Sequence, residues 1–569
     1  MKILGIAPDV WISSAALIED GRITAGVAEE RLNRQKMSSA FPEQAIAYCL
    51  KEAGCTLDSI DQIAVAWNPG VHLRSASRRF THNMRWRGEY MSSVPSVLLG
   101  IQDNPEVTGI DQIIHLADSD TRITFVDHHM SHAANAFLLS PFDDAAILTA
   151  DGRGEEETCT FGVGHGNQIE KLHSVSLPHS IGLLYGVITE FLGFRPHSDE
   201  WKVMALASYG NEKGNKYRSL IRSLIELRDD GAFELDLSYF TYYLFDNKPT
   251  MYSSKLIDLL GSPRRRDDPI EQRHYDLALA IQLVFEETFN HMLGRLHDET
   301  GQANLAFSGG CVMNSVYNGK VLNTTPFENV FISSCPDDSG VSIGAALYVY
   351  NCLNGQTERY PQEHNFYGPE YSSNEIEETL KSFKIPYEYH ENIGKVGADL
   401  LSKGTLLGWF QGKMEFGQRA LGSRSILADP RDIRSKELVN SAVKYREAFR
   451  PFAPAILAEQ AEFWFEMPPG DSVPYMEKVY PVRPEKRDLI PAVVHVDGTG
   501  RLQTVSKDTN PRFHSIIEAF GAITGVPVIL NTSFNLNGEP IVSSPVDAIR
   551  TFYSCGMDAL FLDHYLIRK

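Results

Sequence analysis

The sequence predicts an α/β protein whose first domain is internally duplicated, and three observations carry that fold class. Residues 1–30 read as a β-meander, with apolar runs around Ile3, Leu4 and Ile6 and around Ala15, Leu17 and Ile18, an Asp20-Gly21 hairpin turn, and a third run from Ile23. Residues 144–178 repeat the same grammar: a strand, an acidic glycine turn at 151–155, a strand, a second turn at 164–167 and a third strand. A strand at 305–308 then runs into Ser308-Gly309-Gly310 and a helix. Strands that alternate with glycine turns and helices are the pattern of α/β proteins, and two copies of one meander are what a duplicated nucleotide-handling fold shows.

A chain of 569 residues exceeds one ordinary core. A polar, Gly/Pro-containing linker at 354–369 sets a boundary between a domain over 1–355 and a second over 370–569. The formal charge of −20 opposes a sequence-independent grip on nucleic acid and suits a small polar substrate. Seven cysteines, scattered and without a C-x-x-C pair, predict a reduced, cytoplasmic protein with neither a disulfide framework nor structural zinc. No signal peptide and no apolar run of bilayer length is present, so no membrane partner is expected.

In chain order, 41–53 has helical periodicity, and the basic, aromatic run 78–87 reads as a solvated helix face. The apolar strand 123–126 leads into Asp127-His128-His129-Met130-Ser131-His132. On a helix starting there, His128 and His132 are four apart and share a face, whereas His129 points elsewhere. A lone pair at this spacing is more often an ordinary helix start, but two carboxylates change the balance. Asp151 ends an apolar strand at a glycine turn, and Asp338 lies between a strand at 329–332 and an Ala/Gly-rich helix at 341–350. Two histidines with one or two aspartates suit Fe(II), Mn(II) or Zn(II) with positions open to substrate oxygens, and argue against a structural zinc.

Lys202, in Lys202-Val203-Met204-Ala205, is either a phosphate ligand or plain helix surface. Residues 230–266 read as a loop-rich insertion and 271–297 as a long amphipathic helix. The glycine turn at Gly309 and Gly310 is a candidate phosphate or ribose cradle. In the second domain, 409–450 holds nine basic and five acidic residues, and its glycines bracket Arg419 and Arg424, an arrangement for compact anions. The strand 526–535 ends in Asn531, Thr532 and Ser533, suited to a small amide-bearing anion.

Taken together, 127–133, 149–155, 202–207, 409–424, 449–454 and 530–535 resemble the ATP-dependent O-carbamoyltransferase family, which includes the nodulation-factor, cephem and tobramycin enzymes. The resemblance covers nearly the whole chain. It is most specific over 409–454, while the histidine motif is shared with enzymes that place threonylcarbamoyl groups on tRNA.

The resemblance implies an actin/sugar-kinase/Hsp70-like N-terminal domain and a YrdC-like C-terminal domain. It implies that carbamoyl phosphate loses its phosphate in the second domain, that the carbamate is joined to AMP from ATP, and that the carbamoyladenylate is transferred in the first domain to a hydroxyl of a small, antibiotic-type natural product. His128, His132, Asp151 and Asp338 match metal positions, with Fe2+ the first choice, Mn2+ or Zn2+ as alternatives, and Mg2+ accompanying ATP. Gly309, Gly310 and Asn314 match the nucleotide, and Arg419, Arg424, Lys444, Arg450, Asn531, Thr532 and Ser533 match the carbamoyl phosphate region. His128 and Lys202 are the expected catalytic groups, with Asp9 as a third. One departure stands out: where the family commonly has a His-Asp pair after the first strand, this chain has Trp11 and Ile12, and Asp9 is the nearest substitute. A homodimer is a further expectation. The rival readings are threonylcarbamoyl transfer to tRNA, which the acidic charge opposes, and a non-catalytic ATP- and metal-binding regulator, which Trp11 and Ile12 motivate.

Overall fold

The structure is a computed structural model that describes residues 1–8, 11–68, 70–71, 109–116, 119–244, 249–447 and 449–569. Asp9 and the basic run 78–87 lie outside the described residues. The chain divides into two compact units. The first comprises 1–26, 39–314 and 320–362, and the second 27–38, 315–319 and 363–569. The expected linker is therefore shared out. Gln362 belongs to the first unit, pairing with Ser334 at 2.9 Å, whereas Gly368 belongs to the second, its N–H donating to Met414 O at 2.9 Å.

The first unit holds two sheets of matching topology. Strands β1 (Lys2–Ala7), β2 (Ser14–Glu19) and β3 (Arg22–Ala28) form an antiparallel meander, and β1 pairs in parallel with β4 (Gln62–Val65). β4 in turn lies parallel to β6 (Ser119–Val126), with β5 (Gly109–Leu116) at the edge. The second sheet repeats this. Strands β7 (Asp144–Ala150), β8 (Glu157–His165) and β9 (Gln168–Ser176) form a meander. A two-strand ribbon pairs β10 (Ile225–Leu227), just before the expected insertion, with β11 (Phe233–Leu235) inside it, and β7 pairs in parallel with β12 (Asn304–Ser308), which pairs with β13 (Asn329–Ile332). The duplication expected from two meanders thus extends to a five-strand order, with β5 an additional edge strand of the first sheet. Asp20 and Gly21 both have positive φ, 48° and 80°, the geometry that a two-residue hairpin turn of matching twist requires.

Five helices of this unit matter for the site: α1 (His128–Phe137), α2 (Ile181–Phe191), α3 (Glu200–Ala207), α4 (Gln272–Thr300) and α5 (Val341–Leu347). α1 is rich in small residues and buried along its whole length. α5 crosses it closely at Gly344, where a Cβ would lie 1.8 Å from Ser131 O. Only glycine permits that approach, which brings the turn before α5, with Asp338, to the start of α1.

The second unit is an α/β body around one mixed eight-stranded sheet. Its strands are β14 (Glu388–Tyr389), β15 (Leu407–Phe410), β16 (Arg424–Ala428), β17 (Ala453–Leu457), β20 (Gln503–Val505), β21 (Val528–Ser533), β22 (Ala559–Leu562) and β23 (Tyr565–Arg568). A separate ribbon pairs β18 (Val479–Pro481) with β19 (Thr499–Arg501). Alternation along the strands builds a core on each face. Leu407, Trp409, Leu427 and Ile529 join Phe513 and Phe520 of the helix Pro511–Thr524, while Phe410, Ile426, Val528 and Leu530 join a core containing Phe452, Trp464 and Phe552.

Candidate metal centre and anion cluster

The strand β6 ends at Val126, and Asp127 leads into α1 in a non-helical conformation, φ −56° and ψ 138°. Asp127 makes no side-chain cap to its own helix. The cap comes from Glu155, whose carboxyl oxygens each lie 3.1 Å from the His128 N–H and which also accepts Asn68 N–H at 2.7 Å. Asn68 Nδ2 donates to Asp127 Oδ1 at 2.6 Å. Burial and the nearby Asp127 push the Glu155 carboxyl up to about 8.

One turn of α1 places both imidazoles on one face. His132 Nε2 lies 3.2 Å from His128 Nε2, 3.0 Å from Asp151 Oδ2 and 3.5 Å from Asp338 Oδ1, and His128 Nε2 lies 3.5 Å from Asp338 Oδ1. One ligand atom from each of these four residues lies within 4.8 Å of the others. His129 turns away, as expected, to Thr149 Oγ1 at 2.6 Å and Glu157 O at 3.1 Å.

The surroundings orient each ligand. Asp151 accepts Gly152 N–H at 2.5 Å and Gly310 N–H at 3.0 Å. Gly309, at φ 110°, makes that turn. A Cβ there would lie 2.0 Å from Ala150 O, so both conformation and space demand glycine. Asp338 Oδ2 accepts the Trp11 backbone N–H at 3.2 Å. Ser308 Oγ donates to Pro336 O at 3.1 Å, so at 3.2 Å from His132 Nδ1 it accepts the imidazole proton and leaves Nε2 bare toward the cluster.

The electrostatics fit a dication. Burial opposes charge on His128 and His132, yet Asp338 and Asp151 override it and hold both imidazoles above their ordinary range. Burial likewise raises Asp151 and Asp338, yet the two imidazoles hold both carboxyls down. Two bare nitrogens and two carboxylates drawn together in a buried space need positive charge, supplied either by protons or by one divalent ion. Nitrogen and oxygen donors without sulfur fit a catalytic divalent metal.

The other expected residues of this unit have their own partners. Lys202 on α3 pairs with Asp199 at 3.2 Å. Asn314 exchanges hydrogen bonds with Gln282 of α4 at 2.9 and 3.2 Å. Gly310 directs its N–H at Asp151.

In the second unit, four guanidinium groups converge. Burial, then Arg419, Arg446 and Arg450 in turn, hold Arg501 well below the usual arginine range. Burial and Arg450 push Arg446 down to about 9. Glu447 Oε2 lies 3.5 Å from Arg450 Nη1. Arg501 Nε is buried and has no hydrogen-bond partner among the described residues. Guanidinium groups gathered in this way suit a compact anion, whose oxygens accept their forked hydrogen bonds.

Lys444 is buried and anchors the end of β21. Its Nζ shares its three protons among Ser533 O at 2.5 Å, Asn535 Oδ1 at 2.7 Å, Asn535 O at 3.0 Å and Ser533 Oγ at 3.1 Å. Asn531 Nδ2 donates to Gln503 Oε1 at 2.8 Å, and its Oδ1 is buried without a partner among the described residues.

Arg424, expected beside Arg419 as an anion ligand, has a different setting. It is fully buried, donates to the carbonyls of Gln411 at 2.8 Å, Pro369 at 2.9 Å, and Gly412 and Ser423 at 3.1 Å, and its guanidinium stacks 3.6 Å over Phe410, its cross-strand partner. Its place at the head of β16 makes it a fastener of the sheet. Charge density suggested an anion role for it. Conversely, Arg446, Arg501, Ser308 and Glu155 were missed, although Glu155 closes the acidic turn already singled out at 151–155.

The described residues include no helix long and apolar enough to cross a membrane. The chain matches the carbamoyltransferase N-terminus family over residues 2–347 and the carbamoyltransferase C-terminus family over 398–569. It is 39% identical to an uncharacterized protein of Synechocystis sp. over all of this chain and 96% of that one. It is 38% identical to nodulation protein NolNO of Sinorhizobium fredii, over 98% of this chain and 78% of the relative. Among solved structures, component A of (R)-2-hydroxyglutaryl-CoA dehydratase from Acidaminococcus fermentans overlaps 62% of this chain and 99% of its own at 13% identity and a TM-score of 0.33, too slight to argue from. With both halves matched and relatives at 39% and 38% identity covered over 96% and 78% of their length, the chain belongs to the carbamoyltransferase family and is an enzyme of that class.

Proposed function

We propose that the protein is an ATP-dependent O-carbamoyltransferase acting on a hydroxyl of a small, antibiotic-type natural product. The observation that carries this reading is the cluster of Arg419, Arg446, Arg450 and Arg501, which asks for a compact polyanion such as carbamoyl phosphate. In this reading carbamoyl phosphate is hydrolysed there to carbamate and phosphate. The carbamate oxygen then attacks the α-phosphorus of ATP, releasing pyrophosphate and giving carbamoyladenylate. Carbamate is a poor acyl donor, and adenylation supplies the leaving group.

In the first unit, His128, His132, Asp151 and Asp338 would hold the metal, with Fe2+ favoured and Mn2+ or Zn2+ as alternatives, and Mg2+ accompanying ATP. When bound, such an ion supplies Lewis-acid stabilisation of charge on phosphate and carbonyl oxygens. Gly152 and Gly310 fix the Asp151 carboxylate, Trp11 N–H fixes Asp338, and Ser308 fixes the His132 tautomer.

The test is pyrophosphate release from ATP with and without carbamoyl phosphate. Pyrophosphate and AMP that form only with carbamoyl phosphate support the reading. ADP and phosphate as the products, or no dependence on carbamoyl phosphate, would overturn it.

A further inference from the structure

The resemblance expects a histidine where this chain has Trp11, and the structure offers a histidine from elsewhere in the sequence. Trp11 donates its backbone N–H to the ligand Asp338 and its indole Nε1–H to the carbonyl of His197. The two rings meet edge to face, with centroids 4.9 Å apart. His197 lies just before α3 in a left-handed conformation, φ 61°, which a histidine adopts at a cost and which aims its ring toward Trp11. Its backbone N–H is tied to Glu200 Oε1 at 2.5 Å. Neither ring nitrogen has a hydrogen-bond partner among the described residues, and the ring's edge-to-face contact is with Trp11.

We propose that His197 is the catalytic base of this chain, taking the proton from the acceptor hydroxyl at the edge of the metal centre, with Trp11 holding its ring. The inference rests on the carbamoyladenylate reading above. Burial, and then Arg153, push the imidazole down to about 4, against the pull of Asp151, so its lone pair is available at neutral pH. A phosphate anion beside Arg153 would offset that cation and make the imidazole a stronger base as the adenylate binds.

The step balances without a redox partner. The acceptor O–H bond breaks and its proton goes to a ring nitrogen of His197. The oxygen bonds to the carbamoyl carbon, the bond from that carbon to the phosphate oxygen breaks, and the electron pair leaves on AMP. The imidazolium then returns its proton to solvent.

The test uses the full-length, metal-loaded protein with His197→Gly and His197→Asn, two residues that tolerate positive φ and so preserve the turn. ATP, carbamoyl phosphate and methanol as the hydroxyl probe are supplied with enzyme in excess, and pyrophosphate, AMP and methyl carbamate are followed separately. The expected result is pyrophosphate formation within about twofold of wild type, AMP and methyl carbamate formation slowed about 10²- to 10⁴-fold, and recovery of the His197→Gly rate with added imidazole. Normal AMP formation in both variants, or slowing that imidazole does not relieve, would overturn the role of His197 while leaving the donor chemistry standing. A wild type that forms no pyrophosphate would overturn the donor chemistry and the base with it. Should His197→Gly lose its bound metal, His197→Asn with metal content checked decides by the split between pyrophosphate formation and AMP formation alone.

Discussion

Ser308 Oγ lies 3.2 Å from His132 Nδ1 while its own proton points to the Pro336 carbonyl. The serine thus decides which imidazole nitrogen faces Asp151 and Asp338. Ser308→Ala should lower metal affinity about 10- to 100-fold without unfolding the protein, as loss of an orienting partner typically does. Titration of the chelator-stripped protein with Mn2+ or Zn2+ measures this, and unchanged affinity would show that the tautomer is set by something else.

The metal-free cluster has a definite pH signature. His128 and His132 are raised above the ordinary 6.5, so their contribution to stability is complete below that value and fades as pH rises through their folded-state range. Asp151 and Asp338 are lowered below the ordinary 3.8, so theirs is complete above that value and fades as pH falls. The stripped protein should therefore resist denaturant better at pH 5.5 than at pH 8.5, and the gain from adding metal should be larger at the higher pH. Equal midpoints at the two pH values, with and without metal, would contradict the charge assignment.

Two arginines should behave oppositely. Arg501→Ala relieves repulsion from Arg419, Arg446 and Arg450, so it should weaken use of carbamoyl phosphate by at least about tenfold, spare ATP, and leave Tm unchanged or raised. Arg424→Ala strands buried carbonyls at Gln411, Gly412, Ser423 and Pro369 and should cost on the order of 2–4 kcal/mol of stability. Calorimetry beside initial rates at varied carbamoyl phosphate separates the two effects.

Much of this was legible in the sequence because it is local. The Asp20-Gly21 hairpin follows from turn chemistry, and the shared face of His128 and His132 follows from helical spacing. Asp151 and Asp338 were readable as strand-end carboxylates, but their meeting with the histidines depends on the close crossing at Gly344, which no local pattern specifies. Arg424 and Arg501 show the opposite limit. Arg424 sits in the densest basic stretch yet is consumed by backbone carbonyls, while Arg501 stands alone in sequence and joins the cluster through the β18–β19 ribbon. His197 carried no signal at all, because its relation to Trp11 exists only in the folded chain.

The proposed division of labour puts donor activation on the guanidinium cluster and transfer on the His/Asp cluster. It is tested most directly by supplying preformed carbamoyladenylate, with methanol as acceptor, to Arg501→Ala and His132→Ala in single-turnover experiments. A supplied mixed anhydride already carries the activated carbonyl, whereas orientation and charge stabilisation are still required. Arg501→Ala should then form methyl carbamate at close to the wild-type rate, and His132→Ala should remain slower by about 100-fold or more. Failure of Arg501→Ala to recover while wild type turns over, or recovery of both variants alike, would contradict the account.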